Sequence, residues 1–363
     1  AGRLAVVGHE EVGLVLAAVA GVALLRDGGG GDDRPDAVAV DRPGAAAERQ
    51  AQVEGAGGVR IAGTLTTPPA AGGPVPGVLV IPGFGPTTRD GVTTGGAVDP
   101  LYRDITASLA RSGMASFRYD KRGAGASTLP DGQPLRFADM IDDAAAGLDL
   151  LAQRNGIDAG RLAVVGHEEG GLVALGLAAR DPRVAGLVLV STPGRPLLDV
   201  LTDDFANSGH GADVDALHRS VGELLRTGVL PADAELETLP DFFPADQSAY
   251  LVDLFALDPV TLAEKVEVPV LMVRGGLATG VSSEDTDRLS AALGPGADVR
   301  VSPDAGSTLA VEPGAGATPT TAAPSSGGHD HGAGMAQTPE GTTTTRDRAA
   351  LDAIAEWLAA RLA

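Results

Sequence analysis

The stretch from Arg161 to Leu175, RLAVVGHEEGGLVAL, constrains this chain more than any other. An unbroken apolar run, Leu162 to Val165, meets a Gly-rich turn and passes into a helical pattern of small residues. A strand that is apolar on both faces belongs in a parallel sheet covered by helices. Gly166 and Gly170 let strand and helix approach closely, so the turn between them presents one side chain above the sheet. That side chain is Glu168.

The rest of the chain supplies such a sheet. Val59 to Leu65, Gly77 to Ile81, Ala115 to Tyr119, Val184 to Val190, Val270 to Val273 and Val299 to Val301 read as strands. Asp99 to Ser112, Phe137 to Asn155 and Ala349 to Ala363 carry helical periodicity. Strands alternating with helices imply an α/β fold with a doubly wound, mostly parallel sheet. Leu197 to Val266 breaks the alternation with helical sequence, which predicts a cap over the sheet's C-terminal edge. The domain is expected to span 53–363, after an apolar segment and linker over 1–52.

Outside that domain the sequence is unusual. Val12 to Leu25 is a 14-residue apolar run, short of the about 20 residues a membrane span needs. It suits the h-region of a secretory signal or a short anchor, which predicts a place at the cell envelope; a buried helix is the plainer alternative. A Gly/Asp-rich tract, Asp27 to Asp36, follows as a linker. Ala1 to Glu11 repeats Ala159 to Glu169 residue for residue. One copy is no solenoid, and a strand without a sheet to join makes no second functional turn, so the repeat is read as a recent duplication or an error in how the N-terminal sequence was assembled. The segment 311–345 is rich in Gly, Pro, Thr and Ser, which predicts a disordered insertion. His329 and His331 within it are candidate metal ligands, against a solvated loop.

Charge and cysteine content exclude several chemistries. With 48 acidic residues against 27 Lys+Arg, the net charge is −21, which rules out a nucleic-acid surface. The absence of cysteine excludes disulfides and thiolate catalysis. No cofactor is expected, and contact with a membrane is expected only through the N-terminal segment.

Four motifs carry a resemblance. Ile81-Pro-Gly-Phe-Gly-Pro-Thr-Thr-Arg-Asp-Gly91 follows an early strand, and Phe117-Arg-Tyr-Asp-Lys-Arg-Gly-Ala-Gly-Ala-Ser127 follows another. The turn Gly166-His-Glu-Glu-Gly170 has the layout of a G-x-S-x-G nucleophile elbow. Pro269-Val-Leu-Met-Val-Arg-Gly-Gly276 is the fourth. From about Gly55 onward the chain resembles the α/β-hydrolase superfamily, and within it bacterial esterases and acyl hydrolases of the serine-aminopeptidase-like type.

The resemblance implies a Ser nucleophile, an acid and a His, and it implies where each falls. The nucleophile position holds Glu168, the acid position Ala278 and the histidine position Ser307. The backbone amides of Phe84 and Glu169 are implied as oxyanion donors. Three substitutions in three loops imply an inactive site. A Glu nucleophile would reach past the productive point, and Ser307 is no base for the second step. His167 is expected to point away from the pocket. An anionic Glu168 is expected to accept from the Phe84 and Glu169 amides and so fill the oxyanion site. Asp120, Lys121 and Arg122 are read as a structural ion-pair cluster, Arg89 and Asp90 as braces of the oxyanion loop, and His210 and His218 as surface residues of the cap. Phe242 and Phe243 are expected to pack over the pocket. The reading is a pseudo-hydrolase binding a small apolar or acyl-type ligand under the cap, or an envelope protein partner. The alternative is a carboxylic-ester hydrolase with an unconventional or misrecorded active site.

Overall fold

The computed structural model describes residues 45–69, 72–93, 98–129, 132–207, 211–231, 247–278, 280–311 and 345–363. Its frame is an eight-stranded sheet in the order β1-β2-β4-β3-β5-β6-β7-β8. The strands are β1 (Ala47–Glu54), β2 (Arg60–Thr67), β3 (Val75–Ile81), β4 (Ala115–Tyr119), β5 (Ile157–His167), β6 (Val184–Val190), β7 (Val270–Gly275) and β8 (Ala297–Ser302). β2 runs antiparallel to β1 and β4, and every pairing from β4 onward is parallel. The central strands are buried over their C-terminal halves, Gly77–Ile81 in β3, Leu162–His167 in β5 and Gly186–Val190 in β6, as a doubly covered sheet requires.

Helices cover both faces. α1 (Leu101–Arg111), α2 (Phe137–Gln153), α3 (Glu169–Ala178), α8 (Ser283–Leu293) and α9 (Arg348–Arg361) connect or follow the strands. α1 turns Leu101, Ile105 and Leu109 into one core, an i, i+4, i+8 stripe. α3 buries nearly every residue, because it lies between sheet and cap and has no solvent face. Between β6 and β7 come α4 (Leu197–Asn207), α5 (Val214–Thr227), α6 (Ser248–Phe255) and α7 (Pro259–Ala263), the helical cap.

Two boundaries differ from expectation. The domain starts before residue 53, because β1 begins at Ala47 and pairs with β2 over its whole length. Its polar alternation, AERQAQVE, suits a half-exposed edge strand and reads as linker without the partner. The ends of the insertion are ordered: β9 (Ala310–Val311) pairs with β10 (Thr345–Arg346). The ribbon draws both ends of the insertion to one point. The apolar run Val12 to Leu25, the N-terminal copy Ala1 to Glu11, His210, Phe242, Phe243, His329 and His331 lie outside the described residues. No helix among the described residues is long and apolar enough to cross a membrane.

Candidate active site

The parallel strands end on one edge, where α/β sheets bind ligands. β3 runs into Pro82-Gly83-Phe84, β5 into the elbow, β6 into Ser191, β7 into the loop bearing Ala278, and β8 into the loop bearing Ser307.

The elbow is built by close backbone contact. Glu168 sits at φ 48° and ψ −116° as the N-cap residue of α3. A non-glycine residue at such a φ costs about 1–3 kcal/mol, and it persists because its surroundings fix it. A Cβ on Gly166 would stand 2.2 Å from the Gly170 carbonyl oxygen. A Cβ on Gly170 would stand 2.5 Å from the Ile81 oxygen and 2.4 Å from the Pro82 oxygen. Gly170→Ala is therefore expected to cost about 1–3 kcal/mol through overpacking. Thermal unfolding checks this; an unmoved midpoint would mean that the turn opens freely.

The loops at positions 278 and 307 lean on each other. The Gly276 N–H donates to Ser302 O at 2.6 Å and the Leu277 N–H to Ala305 O at 2.9 Å. A Cβ on Gly275 would fall 2.0 Å from the Gly306 oxygen, so this approach requires glycine. The Ser307 carbonyl in turn meets the elbow: it accepts from His167 Nε2 at 3.2 Å and from Ser191 Oγ at 2.7 Å. The elbow and the two loops thus converge, with Glu168, Ala278 and Ser307 on them.

His167 corrects one expectation. It does not turn away; it lines the same cleft as Glu168, with Phe84, Leu101, Tyr102 and Thr308. A carbonyl can only accept, so the Ser307 contact puts the ring proton on Nε2. Nδ1 then accepts from the Tyr102 hydroxyl at 3.0 Å, and that hydroxyl accepts from the Gly83 N–H at 2.8 Å. Burial pushes the Tyr102 phenol well above its usual range, against the Gly83 hydrogen bond and with help from the Glu168 charge, so it keeps the proton it donates. A buried chain of hydrogen bonds runs from the oxyanion loop to the Ser307 loop. Nothing in the sequence marks Tyr102 for this part.

The expected plug does not form. Among the described residues the Glu168 carboxylate accepts no hydrogen bond, and the Phe84 and Glu169 amides donate none. The strained backbone turns the carboxylate toward Gly83 instead, where a Cβ would lie 2.7 Å from Glu168 Oε2. Its nearest cationic candidate is His167 Nε2, 3.8 Å from Oε1.

Glu169 carries more than an amide. Its side chain is fully buried, 2.6 Å from Lys121 Nζ and hydrogen-bonded to the Tyr250 hydroxyl. Lys121 also donates to Gly83 O at 3.0 Å. The loop at Gly83, the elbow and cap helix α6 therefore meet at one buried ion pair. Asp120, Lys121 and Arg122 do not pair among themselves. Asp120 takes Arg89, Lys121 takes Glu169, and Arg122 takes Asp143 at 2.7 Å, so the three fan out to separate elements. Arg89 and Asp90 do brace their loop, through Asp120, Arg103 and Arg118. His218 is exposed and meets Thr202.

Behind the β7 loop, the fully buried Asp285 accepts from the Gly194 and Arg195 amides, the Arg195 guanidinium and Ser282. Burial pushes its carboxyl up, but Arg195 and Ser282 outweigh this and hold it below the ordinary aspartate value. A lowered carboxyl contributes stability that is present above its unfolded value and lost as the pH falls through the folded one. Asp285→Asn is thus expected to flatten the acid limb of a stability–pH curve, as read by urea unfolding from neutral pH downward.

Comparison with known proteins agrees with this frame. A family model described as serine aminopeptidase, S33, matches residues 100–209, less than a third of the chain. Esterase EstD of Thermotoga maritima is 27% identical over 224 residues, 61% of this chain and 51% of the relative, so the chain spans about half of that relative's length. An esterase of Pyrococcus furiosus superposes with a TM-score of 0.52 at 16% identity, over 72% of this chain and 84% of the other. The α/β hydrolase GrgF of Penicillium superposes at 0.51 and 17% identity, over 72% and 91%.

Proposed function

We propose, from the premise that this chain is an α/β-hydrolase-fold protein of the esterase type, that it binds a ligand at the elbow without cleaving it. The observation that carries this reading is the set of side chains on the three converging loops. By the resemblance, Glu168, Ala278 and Ser307 take the positions where acyl transfer needs a nucleophile, an acid and a base. A methyl group cannot orient an imidazole, and a serine hydroxyl near neutral pH cannot take the proton an attacking group must lose.

The cleft at Glu168 is walled by the oxyanion loop, α1, the elbow and Thr308, with no cap residue among its described lining. A ligand seated there meets the elbow directly, and the cap acts from behind through Tyr250 and Glu169. The apolar run Val12 to Leu25 supports a place at the cell envelope as part of the same proposal.

A second reading has one observation in its favour. The Phe84 and Glu169 amides donate no hydrogen bond among the described residues and His167 lies beside Glu168, which supports an ester hydrolase with an unconventional site. A short-chain p-nitrophenyl ester and a serine-directed fluorophosphonate separate the readings. Neither turnover nor labelling is expected. Turnover without labelling would replace the first reading with the second.

A further inference from the structure

The acyl-hydrolase frame leaves the charge of Glu168 unexplained. Its side chain is 10% exposed and accepts no hydrogen bond among the described residues, yet it faces the cleft. Among the described residues, the cationic groups around the site are already engaged. Lys121 is held by Glu169 and the Gly83 carbonyl. Arg346 is held by both Asp99 and Asp104, and it also donates to the Thr308 carbonyl at 2.9 Å. His167 has both ring nitrogens committed, one to the Tyr102 hydroxyl and the other to Ser307 O. Among the described residues Glu168 thus meets no cationic group closer than the 3.8 Å to His167, in a chain whose overall charge of −21 attracts cations from a distance.

A carboxylate nearly out of water is costly unless a positive group meets it. A divalent metal needs several hard oxygen ligands, and no group of three His, Asp or Glu side chains suited to a metal exists among the described residues. An organic ammonium needs less: one carboxylate, plus apolar wall for its carbon. Phe84 and Leu101 supply that wall on the same cleft. The fold ordinarily stabilises a developing negative charge here; Glu168 inverts that preference.

Resting on the reading of this site as one that binds without cleaving, we propose that the cleft at Glu168 recognises the ammonium group of a small amine. The carboxylate takes the N–H donors, and a short alkyl tail lies against Phe84 and Leu101.

Two probes of similar size and opposite charge test this by calorimetric titration at fixed ionic strength: ethylammonium chloride and sodium propionate. The wild-type chain is expected to bind ethylammonium saturably at one site, at least about tenfold tighter than propionate. A hydrogen bond to a charged group sets the further expectation that Glu168→Gln loses about ten- to a hundredfold in ethylammonium affinity. Propionate binding as tightly as ethylammonium overturns the proposal, and so does an unchanged affinity in a folded Glu168→Gln chain. Failure of both probes to bind a wild-type chain with an intact melting transition overturns it as well. The charge preference needs no variant, so it stands even if Glu168→Gln misfolds. Ester turnover by the same preparation would sink the non-hydrolytic reading and leave the ammonium site standing. Anion preference without turnover would do the reverse.

Discussion

Replacing Glu168 by Ser, Ala278 by Asp and Ser307 by His in one chain is expected to switch on ester hydrolysis. The expectation rests on the frame around those three positions. The elbow holds residue 168 at positive φ on the N-terminus of α3, and the Phe84 and Glu169 amides donate no hydrogen bond among the described residues. The loops at 278 and 307 pack against each other, and the second touches the elbow through His167. Disabling a complete triad lowers turnover by about a millionfold, and removing one key member costs nearly as much as removing all. Single replacements are therefore expected to gain nothing measurable. The triple variant is expected to gain at least about a thousandfold over wild type on a p-nitrophenyl ester, and to label with a fluorophosphonate. A folded triple variant that neither turns over ester nor labels would show that the loops lack catalytic register. The assignment of the three positions would then fall.

The second large effect is on stability. Lys121→Met is expected to cost about 3–5 kcal/mol, because it strands the fully buried Glu169 carboxylate with only the Tyr250 hydroxyl for company. Burial already pushes the Tyr250 hydroxyl well above the usual phenol range, and the Glu169 charge adds to this, so Tyr250 supplies a hydrogen bond and no countercharge. Removing both charges removes the problem: Lys121→Met with Glu169→Leu is expected to recover most of the loss, since a buried pair is often no better than apolar packing. Urea unfolding of the two single variants and the double variant measures the coupling. Full stability of Lys121→Met on its own would contradict this account.

The pair ties cap and elbow together. Lys121 reaches the oxyanion loop at Gly83 O, Glu169 opens α3, and Tyr250 comes down from α6. Asp253 on the same cap helix holds Arg136 and the Phe137 amide at the start of α2. A ligand that shifts the elbow therefore moves charged, buried contacts instead of sliding past apolar ones.

Much of this protein was legible in its residues. The apolar runs and their spacing fixed the strand sequence, because a strand buried on both faces must be apolar throughout, whatever its neighbours are. Gly166 and Gly170 fixed the elbow, because only glycine tolerates carbonyl oxygens at 2.2–2.5 Å from where a Cβ would be. The identities of Glu168, Ala278 and Ser307 are matters of sequence alone. β1 was illegible because an edge strand half in water carries no apolar signature until β2 lies beside it. Side-chain direction and pairing were decided only in three dimensions. His167 turns into the cleft because Tyr102, 65 positions earlier, and Ser307, 140 positions later, hold its two nitrogens. Glu169 and Lys121 find each other across 48 positions, with Tyr250 from the cap closing the group. Such partners meet by folding, and hydrogen bonds and buried charges depend on distances of a few ångströms that no spacing along the chain encodes.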